Sequence, residues 1–101
     1  MKLIVITAIA EFDKEIKKML KEIKVKSYTY QHVKGFRDST EESLENNWFG
    51  SEMNETESVV FYAFLKKESI HLLFQTIETF NLQQDSISKI HVACLEVEKY
   101  N

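Results

Sequence analysis

Residues 58–65 of the chain, Ser-Val-Val-Phe-Tyr-Ala-Phe-Leu, decide the fold class. Their apolar side chains occupy both alternating sets of positions, which is typical of a central β-strand with apolar surroundings on each face. Lys2–Ala10 shows the same two-sided pattern and is rich in β-branched residues. Two more strands are expected at Ser27–Phe36 and at Ile90–Val97. The chain therefore contains four predicted strands.

Two helices are predicted from apolar residues that recur at helical spacing. The first helix is marked by Phe12, Ile16, Met19, Leu20 and Ile23. The second runs through Ile70 to Phe80, and we expect Ser69 to cap its free amides. The order is strand, helix, strand, strand, helix, strand. It predicts an α+β, ferredoxin-like βαββαβ sandwich, in which a four-stranded antiparallel sheet carries both helices on one face because each crossover is right-handed.

Length and composition restrict the number of domains and the classes of partner that we expect. The 101 residues suit one compact domain, and the hydrophobic content of 44% is enough for a core. A net charge of −3 gives no reason to expect a nucleic-acid partner. The single cysteine, Cys94, cannot form an intramolecular disulfide, and the apolar run Leu3–Ala10 is too short to cross a membrane. We therefore expect a single cytoplasmic domain, residues 1–101, without direct membrane insertion.

The predicted sheet has one face without helices. Because two of its strands carry large apolar residues on both sides, a single copy would expose a larger apolar patch than soluble monomers usually tolerate. We therefore predict that self-association buries this face. The alternative is that the alternation is imperfect and that some of these residues lie at the sheet edges.

The segment 37–57 is much longer than a connection between two hairpin strands requires. It holds seven acidic residues and one basic residue, Arg37, so its balance is −6 and the rest of the chain carries +3. We expect a projecting acidic loop that contacts a basic surface or a cation. Its candidate partner-binding residues are Trp48, Phe49, Glu52 and Met53. Two roles are open for Trp48, an anchor on a partner protein or a lid over apolar surface of its own assembly.

Several stretches resemble the PII signal-transduction (nitrogen regulatory) proteins. Residues 30–36, Tyr-Gln-His-Val-Lys-Gly-Phe, follow a helix of similar pattern at 15–23 and end in the V-K-G-F found at the root of that family's long loop. Residues 89–92, Lys-Ile-His-Val, and 95–98, Leu-Glu-Val-Glu, are similar to the family's last strand. The similarity extends over nearly the whole chain, which thus resembles a divergent PII-like member.

The resemblance implies a homotrimer whose sheets pack inward, with small-molecule sites in the clefts between subunits. It also implies that the long loop engages a target such as a membrane transporter, an enzyme or a transcription factor. The candidate effector-cleft residues are Lys34, Gly35, Phe36, Arg37 and Lys89.

The chain departs from the family's pattern at positions that carry ligands and signals. Members that bind ATP or ADP usually have a T-G-x-x-G-D-G turn before the last strand, whereas residues 81–88 here contain no glycine. The glutamine that follows G-F-G-R in typical members is missing, and no tyrosine lies between Arg37 and Glu57 to accept uridylylation. The effector is therefore left unknown, with an adenine nucleotide as one option.

No residue pattern typical of an enzyme or a metal centre stands out. His32, His71 and His91 lack a metal-ligand spacing, and His91 and Cys94 should point to opposite faces of a strand. Cys94 is expected in the core. No Ser-His-Asp or Cys-His pairing is supported by local context. We therefore expect neither a metal site nor enzymatic activity.

The main hypothesis is a trimeric PII-like regulator that binds a small effector between subunits and controls a partner protein through its long loop. Two alternatives fit the same architecture. A trimer of the divalent-cation-tolerance type would bind metal, and a small dimeric ferredoxin-like oxygenase or isomerase would hold a substrate between sheet and helices. A measured subunit number separates the dimer from the two trimers.

Overall fold

The structure is a computed structural model and describes residues 1–36, 55–85 and 87–101. The elements, in chain order, are β1 (Lys2–Ile9), a 3-10 helix (Ala10–Phe12), α1 (Asp13–Glu22), β2 (Thr29–Phe36), β3 (Glu55–Leu65), α2 (Lys67–Gln83) and β4 (His91–Glu96). In these residues the predicted βαββαβ order is confirmed.

The four strands form one antiparallel sheet in the order β2-β3-β1-β4. Strand β1 is central, since Ile4 lies opposite both Ala63 of β3 and Cys94 of β4. Strand β2 pairs with β3 along its whole length and ends where Phe36 lies opposite Glu55. Strands β2 and β4 are therefore the two edges of this sheet.

The core lies between one face of the sheet and the two helices. Ile4 and Ile6 of β1 and Phe61 of β3 have no exposed surface. The helices contribute Ile16, Met19, Leu20, Leu73 and Ile77 to the same cluster. Complete burial of each large apolar side chain contributes about 1.5–3 kcal/mol. The apolar residues at helical spacing and the inward-facing residues of the strands thus form one core, and both helices lie on one face of the sheet, as predicted.

Helix α1 ends in a Schellman motif with a lysine at the left-handed position. Lys24 has a φ of 67°. The amide of Val25 donates to the carbonyl of Leu20 at 2.9 Å, and the amide of Lys24 donates to the carbonyl of Lys21 at 3.0 Å. Glycine is usual at this position because a Cβ is unfavourable there. Val25 packs against the core and helps to hold the turn.

Strand β3 begins earlier than the sequence predicted. It starts at Glu55 rather than at Ser58, because its first residues pair with the end of β2. The last three residues of the predicted loop 37–57 therefore belong to a strand. The other strand ends lie within two residues of their predicted positions.

Two predictions for single residues are wrong. Ser69 does not cap α2, because the helix already begins at Lys67, and the residue at the cap position, Lys66, makes no side-chain capping bond. Cys94 is exposed rather than buried. It points to the helix-covered side of the sheet, as its pairing with buried Ile4 shows. Strand β4 is an edge, however, and α2 leaves a hollow above Cys94.

The other side of the sheet, which we call the outer sheet face, bears no helix of the described chain. Its apolar residues include Leu3, Val5, Val60, Tyr62, Phe64 and Leu95. Phe64 and Leu95 both lie opposite Leu3, one on each side, and their exposed fractions are 59% and 47%. The described part of one copy thus leaves a continuous apolar surface uncovered, as the two-sided strands predicted. Its burial by self-association stays a prediction.

Candidate functional site

One hollow of about 440 Å³ lies where β1 and β2 end and where β3 and β4 begin. We call it the loop-root hollow. The residues that matter for its chemistry are Lys34, Gly35, Phe36, Ser58, Lys89 and His91. Four of the five predicted cleft residues therefore line one site: the three at the end of β2 and the lysine before β4. The fifth, Arg37, lies outside the described residues.

The sheet register explains why these residues meet. Ser58 of β3 lies opposite Ile9 of β1 and also opposite Val33 of β2. Strands β1 and β2 therefore both end where β3 starts. His91, the first residue of β4, lies opposite Thr7 near the end of β1. The stretch that leads into β4 is thus brought to the same end of the sheet.

Two lysines line this hollow. Lys34 forms an ion pair with Glu57 on the neighbouring strand, and the hydrogen bond that it donates to that carboxylate raises the pKa of Lys34. Lys89 donates to the backbone carbonyl of Asn81 at 3.0 Å. Both side chains are exposed. A ligand can therefore reach them by displacing contacts that are weak in water.

Asn81, near the end of α2, fixes the position of Lys89. Its side-chain Nδ2 donates to the carbonyl of Ile90, and its Oδ1 accepts from the amide of Ile90, both at 2.9 Å. This pair of bonds holds the end of α2 against the start of β4. Sequence reasoning missed Asn81. The sequence held no signal for this role, because the half-burial of Asn81 and its distance to Ile90 are features of the tertiary structure.

Gly35 keeps two hydroxyl groups accessible. A Cβ at this position would lie 2.5 Å from Ser58 Oγ and 3.3 Å from Thr56 Oγ1. These two hydroxyl oxygens are 3.3 Å apart. Because glycine has no side chain, the hydroxyls stay uncovered between the strands and can donate hydrogen bonds to a ligand.

The arrangement suits an anion with an apolar part. Ammonium and hydroxyl groups can bind negatively charged oxygens. By strand alternation the hydroxyls of Thr56 and Ser58 lie on the outer sheet face, whereas the side chains of Lys34 and exposed Phe36 lie on the helix side of the same strand ends.

The predicted loop residues Trp48, Phe49, Glu52 and Met53 lie outside the described residues, so their role stays a prediction. The orientation of His91 and Cys94 is confirmed. His91 pairs with Thr7 on the outer sheet face, whereas Cys94 pairs with Ile4 on the core side.

Two other features are absent from the described residues. In 1–36, 55–85 and 87–101, no group of three or more His, Cys, Asp or Glu side chains is placed to hold a metal ion. Within the same ranges, no helix has both the length and the hydrophobicity needed to cross a membrane.

Comparison with known proteins gives a clear structural match. No protein-family model and no curated protein matches the sequence. The structure of CPII, a nitrogen regulatory PII-like protein from Thiomonas intermedia K12, bound to ADP, AMP and bicarbonate, matches with a TM-score of 0.64 at 14% sequence identity. The match covers 99% of this chain and 94% of CPII. The chain has the PII-like fold.

Two further structures of CPII match the PII-like fold of this chain with slightly lower TM-scores. One contains the same ligands and has a TM-score of 0.60 at 13% identity, covering 94% of this chain and 93% of CPII. The apo form has a TM-score of 0.60 at 14% identity, covering 93% of this chain and 89% of CPII. The resemblance inferred from the sequence is therefore confirmed at the level of the fold.

Proposed function

We propose that this protein is a PII-like signalling protein. In this proposal a homotrimer binds a small effector in clefts between subunits and controls a partner protein, a transporter or an enzyme, through residues 37–57. The observation that carries the proposal is the loop-root hollow, in which Lys34, Gly35 and Phe36 lie with Lys89. A ligand in this hollow touches the end of β2 and the start of β3. It can therefore bias the conformation of the segment that joins the two strands.

The trimer is supported by the outer sheet face. No element of the described chain covers its apolar side chains, since Phe64, Leu95 and Tyr62 are exposed. Association of three copies through this face would remove the patch from water, with about 25 cal/mol gained for each Å² of apolar surface buried. The same association would place each loop-root hollow near a neighbouring subunit, as the resemblance implies.

The effector we propose is a small molecule that carries an anionic group. CPII binds ADP, AMP and bicarbonate, and the ammonium groups of Lys34 and Lys89 suit a phosphate or a carboxylate. Residues 81–88 contain no glycine, so contacts to the anion would come from side chains rather than from a ring of backbone amides. The exposed ring of Phe36 can stack on an adenine base.

The test combines a mass measurement with a ligand panel. Light scattering should give the mass of three chains. Thermal unfolding should then be recorded with ADP, AMP, ATP, bicarbonate, Zn²⁺ and Cu²⁺, since a ligand at 100 times its dissociation constant stabilises by about 2.7 kcal/mol. Lys89→Ala should reduce the response to the active ligand, whereas Lys66→Ala, an exposed lysine outside the hollow, should not.

The result can also favour another function. A dimer would support the oxygenase or isomerase alternative, and stabilisation by metal ions alone would support a cation-tolerance protein. A stable monomer, or a trimer indifferent to every anion in the panel, would argue against the proposed regulator.

A further inference from the structure

The end of α1 and the turn that follows it form a strongly basic hollow. It has a volume of about 700 Å³ and is lined by Lys17, Lys18, Lys21, Lys24, Val25, Lys26 and Tyr28. We call it the lysine hollow. It lies before the first residue of β2, whereas the loop-root hollow lies at the last residue of that strand. The two hollows are therefore at opposite ends of the sheet.

The backbone explains why these lysines gather. Lys17 and Lys21 are four residues apart and so share one face of α1. The left-handed backbone of Lys24 then turns the chain back, and the amide of Val25 closes the turn on α1. Lys26 follows this turn, so lysines of the turn and lysines of the helix surround the same space.

One of the five lysines is already bound inside the protein. The Lys17 ammonium lies 3.0 Å from Asp13 Oδ1, donates to the hydroxyl of Tyr30 at 3.0 Å and lies 4.2 Å from the centre of the Tyr30 ring. The hydrogen bonds to Tyr30 and to Asp13 raise the pKa of Lys17. Its charge is thus offset locally.

Within the described residues, the other four lysines have no such ion pair. Across the described parts of the chain, no carboxylate forms an ion pair with Lys18, Lys21, Lys24 or Lys26. Four positive charges therefore face one concave space whose floor includes the apolar surface of Val25 and the ring of Tyr28. A negatively charged partner with an apolar group complements this surface.

The shape and the backbone indicate which partner fits. Phosphate sites usually use amides at a helix N-terminus, but this hollow lies at the C-terminus of α1, where carbonyls accept the closing bonds. A bilayer presents a broad array of headgroups, whereas a single chain segment can extend along one hollow of this size. We propose that the lysine hollow binds an acidic peptide segment of a partner protein, with carboxylates on the lysines and an apolar side chain on Val25 and Tyr28.

The proposal competes with a purely structural role. Lysines in the last turn of a helix stabilise it through the helix dipole, and such a role requires no ligand. The proposed peptide binding is independent of the proposed regulator, because it holds whether or not the loop-root hollow binds an effector.

The experiment measures binding of a defined probe. A fluorescent peptide with glutamates on both sides of a phenylalanine is titrated with the full-length protein, and its anisotropy is recorded at low salt and at about 0.15 M salt. Each exposed ion pair contributes a factor of roughly 1.5–5 in affinity. The double variant Lys18→Glu, Lys21→Glu should therefore bind the peptide about tenfold more weakly. A peptide with glutamines in place of the glutamates should bind the unmodified protein no more tightly than the glutamate peptide binds this variant.

A control variant of equal charge makes the result specific. Lys66→Glu, Lys99→Glu changes two exposed lysines outside the lysine hollow and should bind the peptide like the unmodified protein. Equal loss in both variants would show general charge attraction and overturn the proposal. So would tighter binding to phosphatidylglycerol vesicles or to a single-stranded oligonucleotide than to the peptide. Circular dichroism confirms that each variant is folded.

Discussion

Asn81 and Ile90 exchange two hydrogen bonds of 2.9 Å, so the end of α2 is joined to the residue that precedes β4. The Lys89 ammonium donates a third hydrogen bond, to the backbone carbonyl of Asn81. The geometry of the loop-root hollow on this side therefore depends on one amide side chain.

Removal of that side chain should destabilise the protein. Asn81→Ala leaves the amide and the carbonyl of Ile90 without these partners in a half-buried place, and a buried polar group without its partner costs about 1–3 kcal/mol. Urea unfolding should show this loss. Gln83→Ala, at an exposed position in the same turn, should change the free energy of unfolding by less than about 0.5 kcal/mol. Equal effects of the two variants would contradict the role of Asn81.

Glycine should be better than lysine at the end of α1. Lys24 adopts a left-handed backbone, which costs a residue with a Cβ about 1 kcal/mol relative to glycine. We expect Lys24→Gly to raise the free energy of unfolding by roughly that amount. Lys21→Gly, inside the helix, should lower it by about 1 kcal/mol. Destabilisation by both changes would show that the Schellman turn is not formed as described.

The ion pair between Lys2 and Glu96 joins β1 to β4 and makes stability depend on pH. Lys2 donates a hydrogen bond to the Glu96 carboxylate. This bond lowers the pKa of Glu96 and raises the pKa of Lys2. The stabilising effect of Glu96 is therefore present above its unfolded pKa, near 4.5, and is lost as the pH falls through the lower folded pKa. The stabilising effect of Lys2 is present below its unfolded pKa, near 10.5, and is lost as the pH rises through the higher folded pKa.

Urea unfolding at several pH values checks this dependence. Glu96→Gln should be less stable than the unmodified protein at neutral pH, and the difference should disappear in acid. Glu98→Gln, an exposed residue two positions later, serves as the control and should show no such pH-dependent difference. A difference that grows as the pH falls would have the wrong sign.

The outer sheet face should control the number of subunits. Leu95 on this face and Leu72 on α2 are 47% and 48% exposed, so they form a matched pair. Leu95→Asp places a charge on the surface that we propose is buried between copies, and it should dissociate the assembly. Leu72→Asp should leave the mass unchanged. Light scattering at micromolar concentration gives both masses, and an unchanged mass for Leu95→Asp would count against burial of this face.

The element order could be predicted because it depends on local periodicity. Both faces of 58–65 are apolar, and that pattern correctly indicated a strand inside the sheet. The convergence of Lys34 and Lys89 could be anticipated through the PII resemblance, because the shared element order brings the two positions to one end of the sheet.

Features that depend on tertiary coverage could not be predicted. The exposure of Cys94 follows from its place on an edge strand beside a helix that does not cover it. The role of Asn81 depends on the distance between α2 and Ile90. The left-handed backbone of Lys24 was also missed, because a lysine gives no sign of a position that glycine usually occupies.

The pairing of Phe36 with Glu55 makes the domain modular. The chain leaves the sheet and returns to it at adjacent sites, so the 18 residues between them, 37–54, form an insert whose two ends are fixed by the domain itself. Doubling the length of such an insert costs only about 0.6 kcal/mol in closure entropy. Evolution or an engineer can therefore exchange the insert for one of different length and specificity while the scaffold keeps its own folding energetics.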